Sequence, residues 1–194
     1  MRKIVMLNRV SMDGFFASLN PMTWGMDWFI QDPHVDKAAH ELGGPSSETP
    51  LLLLGAETYR GFERSWVPRL KDPKAPKELK AVAEELTKMT KLVFSKTLKE
   101  VTWENTRLFN GHLIEEITKL KKEKGADIMI MGSGTIVQQL ANEGLIDEYV
   151  FIVTPVVAGK GKLLFKDVKQ FGLKLLSTKT FDSGNILVQY ATIN

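Results

Sequence analysis

The residues best equipped for chemistry stand at the ends of short apolar runs. Ile130-Met131-Gly132-Ser133-Gly134-Thr135-Ile136 closes one such run with two glycines and two hydroxyls. Glycines there let the backbone turn sharply and approach a ligand closely. A helix starting behind them aims free N–H groups and a partial positive charge at the same point, which suits a phosphate. The same turn also reads as a plain strand-to-helix joint, and it lacks the third glycine of a Rossmann fingerprint. Two other runs end alike. Leu54-Gly55-Ala56-Glu57-Thr58-Tyr59 leaves through a glycine and presents a threonine, and Phe94-Ser95-Lys96-Thr97 offers two hydroxyls and an ammonium. Each alone is an ordinary turn. Together they fit one long anionic ligand, such as a dinucleotide, lying outside the carboxyl ends of a sheet.

The first loop, Val10-Ser11-Met12-Asp13-Gly14-Phe15-Phe16-Ala17, combines a carboxylate, a turn glycine and two aromatics. Such a loop can cover a planar ring. Asp13 is the candidate acid or substrate-orienting group, with Asp36 second. Trp24, Trp28 and Trp66 fall in loop-like or helix-start contexts, and Trp28 and Trp66 are candidate substrate walls; packing is the competing reading for each. His34, His40 and His112 form no metal pair, because His34 and His40 are off the i, i+4 helix face. No metal site is expected. Ala158-Gly159-Lys160-Gly161-Lys162 reads either as a phosphate contact or as a glycine-broken bulge.

The elements that must position these groups alternate. Strands are expected at Lys3–Asn8, Leu51–Leu54, Lys91–Ser95, Val101–Trp103 and Asp127–Met131. Helices are expected from Pro33, capped by Asp32 and ended by Gly43-Gly44-Pro45, and over Pro76–Met89, Gly111–Lys124 and Ile136–Glu143. The region from Ser11 to Pro33 carries turn signals, Asn20-Pro21 among them. Two or three longer strands close the chain, over Tyr149–Val157, Leu173–Phe181 and Ile186–Ile193, with Asp182-Ser183-Gly184-Asn185 as a tight hairpin. Leu51-Leu52-Leu53-Leu54 is apolar on both faces, as in a sheet covered on both sides. The class is α/β with a mixed sheet, and no linker or repeat divides residues 1–194.

Composition narrows the function. The 194 residues include no cysteine, which removes disulfides, thiolate-zinc sites and a cysteine nucleophile. The formal charge is +3, and the lysines of 71–80 and 119–124 are interleaved with acidic and apolar residues. That pattern is a solvated helix face, so no nucleic-acid partner is expected. No apolar run reaches the roughly 20 residues of a membrane span. Asn8 and Arg9 cut the first run short of a signal peptide, so a cytoplasmic protein is expected.

In order along most of the chain, the motifs resemble dihydrofolate-reductase-fold proteins of the kind found as the reductase domain of the riboflavin-biosynthesis deaminase/reductase. The matching pieces are Ser11-Met12-Asp13-Gly14, Gly55-x-x-Thr58-Tyr59, Ser95-Lys96, Gly132-Ser133-Gly134-Thr135, Leu145-Ile146-Asp147-Glu148 and Thr154-Pro155-Val156-Val157-Ala158-Gly159-Lys160-Gly161. The resemblance implies a three-layer α/β/α sandwich around a mixed, mostly parallel sheet with an antiparallel C-terminal hairpin. It implies NADPH across the strand ends, with Gly132, Ser133, Gly134, Thr135 and Ile136 at the pyrophosphate. Gly55, Thr58, Tyr59, Ser95 and Lys96 would hold the adenosine half, and Phe16 and Ala17 would lie over the nicotinamide. Ala56, followed by Glu57, stands where dihydrofolate reductases proper carry an arginine, which leaves NADH open beside NADPH.

The expected activity is hydride transfer from NAD(P)H to a small heteroaromatic or ribosylaminopyrimidine-like substrate, by a homodimer. The alternatives are nucleotide binding without turnover and dihydrofolate reduction itself.

Overall fold

The computed structural model describes residues 1–20, 22–23, 25–30, 32–43 and 49–193. Pro21, Trp24 and the expected helix stop at Gly44-Pro45 lie outside the described residues.

The first apolar run forms β1 (Ile4–Ser11), longer than the sequence pattern indicates, and a short β2 (Phe15–Ala17) follows. Helix α1 (Pro33–Gly43) starts at the proline, with Asp32 Oδ1 accepting the His34 N–H at 2.9 Å. Next come β3 (Leu51–Gly55), α2 (Ala56–Lys71), α3 (Lys77–Lys88), β4 (Lys91–Phe94), β5 (Thr106–Phe109) and α4 (Leu113–Lys122). The chain closes through β6 (Ile128–Met131), α5 (Gly134–Asn142), β7 (Glu148–Thr154), β8 (Lys162–Leu163), β9 (Leu173–Thr180) and β10 (Ile186–Thr192).

Among the described residues the main sheet runs β5-β4-β3-β6-β1-β7-β10-β9, parallel from β5 to β7 and antiparallel at the last two strands. β2 and β8 form a separate two-stranded flap. The parallel strands are apolar on both faces because helices cover both. In β3, Leu53 packs into one core with α4 and α5 (Ile117, Ile136, Val137, Leu140). Leu52 and Leu54 pack into the other, with α1 and α2 (Val35, Ala39, Tyr59). Burying each such side chain contributes about 1.5–3 kcal/mol.

Two expectations give way to the structure. Val101–Trp103 is not a strand: Trp103 is buried there, its Nε1 donating to Thr87 Oγ1 at 2.9 Å, and the strand comes later as β5. The stretch from Ala56 to Lys71, which the pattern leaves as loop, is a helix containing Gly61 and Pro68. Both residues are helix breakers by propensity. Packing of Tyr59, Phe62 and Trp66 against the sheet overrides them.

One buried group has no local signal. Lys91, at the start of β4, is fully buried. Its ammonium donates to the carbonyls of Leu86 (2.9 Å), Thr87 (3.1 Å) and Met89 (2.8 Å), and lies 4.5 Å from the Trp103 ring centroid. It thereby satisfies the orphan carbonyls at the end of α3. Burial pushes its pKa down to about 8.

Candidate active site

Helices α1 and α2, which follow β1 and β3, pack on one face of the sheet, whereas α5, which follows β6, packs on the other. Since β6 lies between β3 and β1, its exit diverges from both neighbours and opens a crevice at the carboxyl edge. A cleft of about 2650 Å³ occupies this edge. That exceeds the 300–1,000 Å³ typical of one small ligand.

At its narrow end the exits of β3 and β6 are stitched together. Gly132 (φ 61°) and Ser133 (φ 56°) both turn left-handed. The Ser133 hydroxyl accepts the Gly55 N–H at 2.7 Å and donates to Thr58 Oγ1 at 3.0 Å, and the Ser133 N–H donates to Thr58 Oγ1 at 3.2 Å. A Cβ on Gly132 would come within 3.1 Å of Thr58 Cγ2, so closeness as well as φ requires glycine. This knot sets the N-termini of α2 and α5 side by side, and neither helix has a side-chain cap. The first-turn N–H groups, those of Gly134 and Thr135 among them, lack intrahelical acceptors and are suited to an anion. Ile136 is buried beneath them.

The flap roofs this end. Phe16 rests on the turn so closely that a Cβ on Gly134 would lie 2.6 Å from its Cε1, and Ala17 continues β2 against Lys162 of β8. Asp13 latches the flap. Its carboxylate accepts the Ser11 hydroxyl (2.6 Å) and the N–H groups of Ala158 (3.0 Å) and Gly159 (2.7 Å). The Ser11 hydroxyl, then these two amides, hold its pKa down to about 2. A carboxylate so occupied is no proton donor at neutral pH, so Asp13 is corrected from acid to brace. The Ala158–Lys162 segment is its partner. Lys162 goes on to pair with Glu57 across the mouth of the cleft at 3.0 Å.

Farther along the edge, Ser95 spends its hydroxyl on the N–H groups of Thr97 (3.1 Å) and Leu98 (2.9 Å). Lys96 is exposed at the cleft, with no ion pair among the described residues. Tyr59 departs from expectation. It is buried, its hydroxyl accepting the N–H groups of Thr102 (3.1 Å) and Trp103 (3.0 Å) and donating to Glu63 (2.7 Å). It anchors α2 to the 101–103 loop and does not line the cleft.

The wide end lies between α1 on one side and α2 and α3 on the other. Asp36 and Trp66 both line it. Arg9 pairs with Asp36 at 2.7 Å. Burial raises the pKa of Asp36 against the pull of that guanidinium. Trp28 does not line it; its indole packs edge-on to Phe29, 4.5 Å between centroids, and Phe29 is the ring exposed to the cleft. Phe29, Phe62 of α2 and Leu79 and Val82 of α3 are cleft residues that the sequence reading did not single out. No group of metal-ligating side chains occurs among the described residues, and no described helix is long and apolar enough to cross a membrane.

Comparison with known proteins agrees with this architecture. Bacillus subtilis YyaP, an uncharacterized protein, is 34% identical over 97% of this chain and 94% of its own length. A crystal structure from Shewanella sp. PV-4 superposes with a TM-score of 0.71 at 20% identity, covering 99% of both chains. The diaminohydroxyphosphoribosylaminopyrimidine deaminase/5-amino-6-(5-phosphoribosylamino)uracil reductase of Thermotoga maritima superposes with a TM-score of 0.66 at 15% identity. That match covers 99% of this chain and 57% of the Thermotoga chain. The family model described as the RibD C-terminal domain matches residues 2–187, and with nearly the whole chain inside it, this protein belongs to the RibD C-terminal domain family.

Proposed function

We propose that the chain is an NADPH-dependent reductase of riboflavin-biosynthesis type, passing hydride to a small heteroaromatic or ribosylaminopyrimidine-like substrate. The observation that carries this reading is the meeting of two uncapped helix N-termini, α2 and α5, at a glycine crevice where neighbouring strand exits diverge. A pyrophosphate accepts hydrogen bonds from such amides and is favoured by both helix dipoles.

Gly132, Ser133, Gly134, Thr135 and Ile136 would hold the pyrophosphate, and Gly55, Thr58, Ser95 and Lys96 the adenosine half. The flap residues Phe16 and Ala17 would exclude water from the nicotinamide. The bound cofactor supplies the hydride. Asp36, with its raised pKa at the substrate end, is the side chain placed to hold a proton there. Asp13 keeps the roof in register.

The test is a titration of the intact protein with NADPH and with NADH, read by tryptophan fluorescence, followed by the loss of nicotinamide absorbance with a panel of acceptors. Micromolar binding of NADPH supports the reading, and equal millimolar affinity for both overturns it. Tight binding with no oxidation by any acceptor would favour the non-catalytic alternative, and inhibition by antifolates would favour dihydrofolate reduction.

The homodimer belongs to the same proposal. One face of β7, β10 and β9 presents Val153, Ile186, Val188, Tyr190 and Leu175, with no charge among them, while Lys174 and Lys179 fall on the other face. Leu175 is 52% exposed. Light scattering of the native protein and of Leu175→Glu distinguishes a dimer through this face from a monomer.

A further inference from the structure

We propose that the wide end of the cleft binds an uncharged planar ring with few polar edge atoms, of the naphthoquinone kind, and that it does not accommodate a phosphorylated ligand. The inference rests on the reductase reading in calling this molecule the substrate, and it replaces the ribosylaminopyrimidine-like substrate of that reading with an uncharged carbocyclic one.

Three observations carry it. The lining is apolar: Phe29, Phe62, Trp66 and Met131 all line the cleft, and Leu79 and Val82 of α3 stand 37% and 39% exposed. An aromatic and aliphatic lining suits a flat apolar ring. Next, the guanidinium groups of Arg9 and Arg69 at this end are already engaged. Arg9 is paired with Asp36, donates to the Ile30 carbonyl at 3.1 Å and stacks on Phe29. Arg69 bonds the Ser65 carbonyl of its own helix and stacks on Trp66, and His40 of α1 pairs with Glu85 of α3 at 3.1 Å. Finally, Glu41 and Glu78 line the same end and repel a phosphate. Lys37 and Arg60, which also line the cleft, are exposed and form no buried anion pocket.

The experiment is isothermal titration of the intact protein with menadione and, separately, with uridine monophosphate, each with and without NADPH. The chain has no cysteine, so menadione forms no thiol adduct. Menadione is expected to bind in the micromolar range, and uridine monophosphate to give no saturable heat. Trp66→Ala removes a wall and should weaken menadione roughly tenfold. Because Trp66 also packs on the core, Val82→Asp is the second variant: it sets a carboxylate into the groove from an exposed position and should weaken menadione at least as much. Saturable uridine monophosphate binding that Arg60→Gln abolishes, or menadione binding indifferent to both groove variants, overturns the proposal. NADPH binding without menadione binding sinks this inference and leaves the reductase reading standing; menadione binding without NADPH binding does the reverse.

Discussion

The two ends of the cleft share one sheet edge and are built oppositely. At the narrow end polar groups are knotted to one another: Ser133, Thr58 and the Gly55 amide satisfy themselves, and Asp13 is saturated by a hydroxyl and two amides. At the wide end apolar side chains are left open to solvent, and the Asp36 carboxyl beside them is raised by burial where Asp13 is lowered to about 2. The same functional group is tuned in opposite directions, by hydrogen-bond donors at Asp13 and by desolvation at Asp36. The difference teaches that the divergent exit of β6 does two jobs. It gathers backbone donors on one side of itself and holds helices apart on the other.

The largest expected effect tests the wall of the wide end. Lys91→Ala strips the end of α3 of its ammonium and should cost about 3 kcal/mol in denaturant unfolding. The wild-type side chain also leaves a pH signature. Its pKa is about 8 folded against 10.5 unfolded, so between those values the unfolded chain binds the extra proton. Stability from this group therefore rises with pH across that window. The gap between wild type and Lys91→Ala should widen accordingly.

Gly134→Val breaks the narrow end alone. Its side chain must displace Phe16, an overpacking cost of about 1–3 kcal/mol. NADPH affinity should fall more than tenfold by fluorescence titration while menadione affinity holds. Asp13→Ala unlatches the roof without touching the turn, and NADPH binding should weaken roughly tenfold. Because the folded pKa of Asp13 is about 2 against 3.8, its contribution is present above 3.8 and lost as pH falls toward 2. Acid titration of the variant should lack that loss. The smallest effect is Asp36→Asn. A half-exposed pair with Arg9 contributes at most about 1 kcal/mol. Asp36 should nevertheless govern the alkaline limb of the reductase pH–rate profile, because its proton is lost as pH rises, and the variant would flatten that limb. Unchanged profiles would remove Asp36 from the reaction.

How much of this was legible in the sequence differs between the ends. The narrow end was marked by local chemistry, glycines and hydroxyls directly after apolar runs, and those residues converge as expected. The wide end was obscured. Gly61 and Pro68 hid α2, so Trp66 read as a loop residue, and the helical face it shares with Phe62 could not be drawn. Trp28 attracted notice as the larger ring while its neighbour Phe29 lines the cleft. Tyr59 sits in a matching motif yet turns inward, because its hydroxyl is needed by two amides more than forty residues away. Lys91 opens an expected strand, and its burial depends on carbonyls that exist only once α3 has ended beside it.

The Asp13 latch has a consequence for the order in which the molecule can be made. Its acceptors are filled by amides 145 and 146 residues downstream, and β1 lies between β6 and β7, both drawn from the second half of the chain. A ribosome-bound chain therefore carries its central strand unpaired through most of synthesis. The roof forms only after residue 159 has emerged, so ligand cannot assist the early stages of folding.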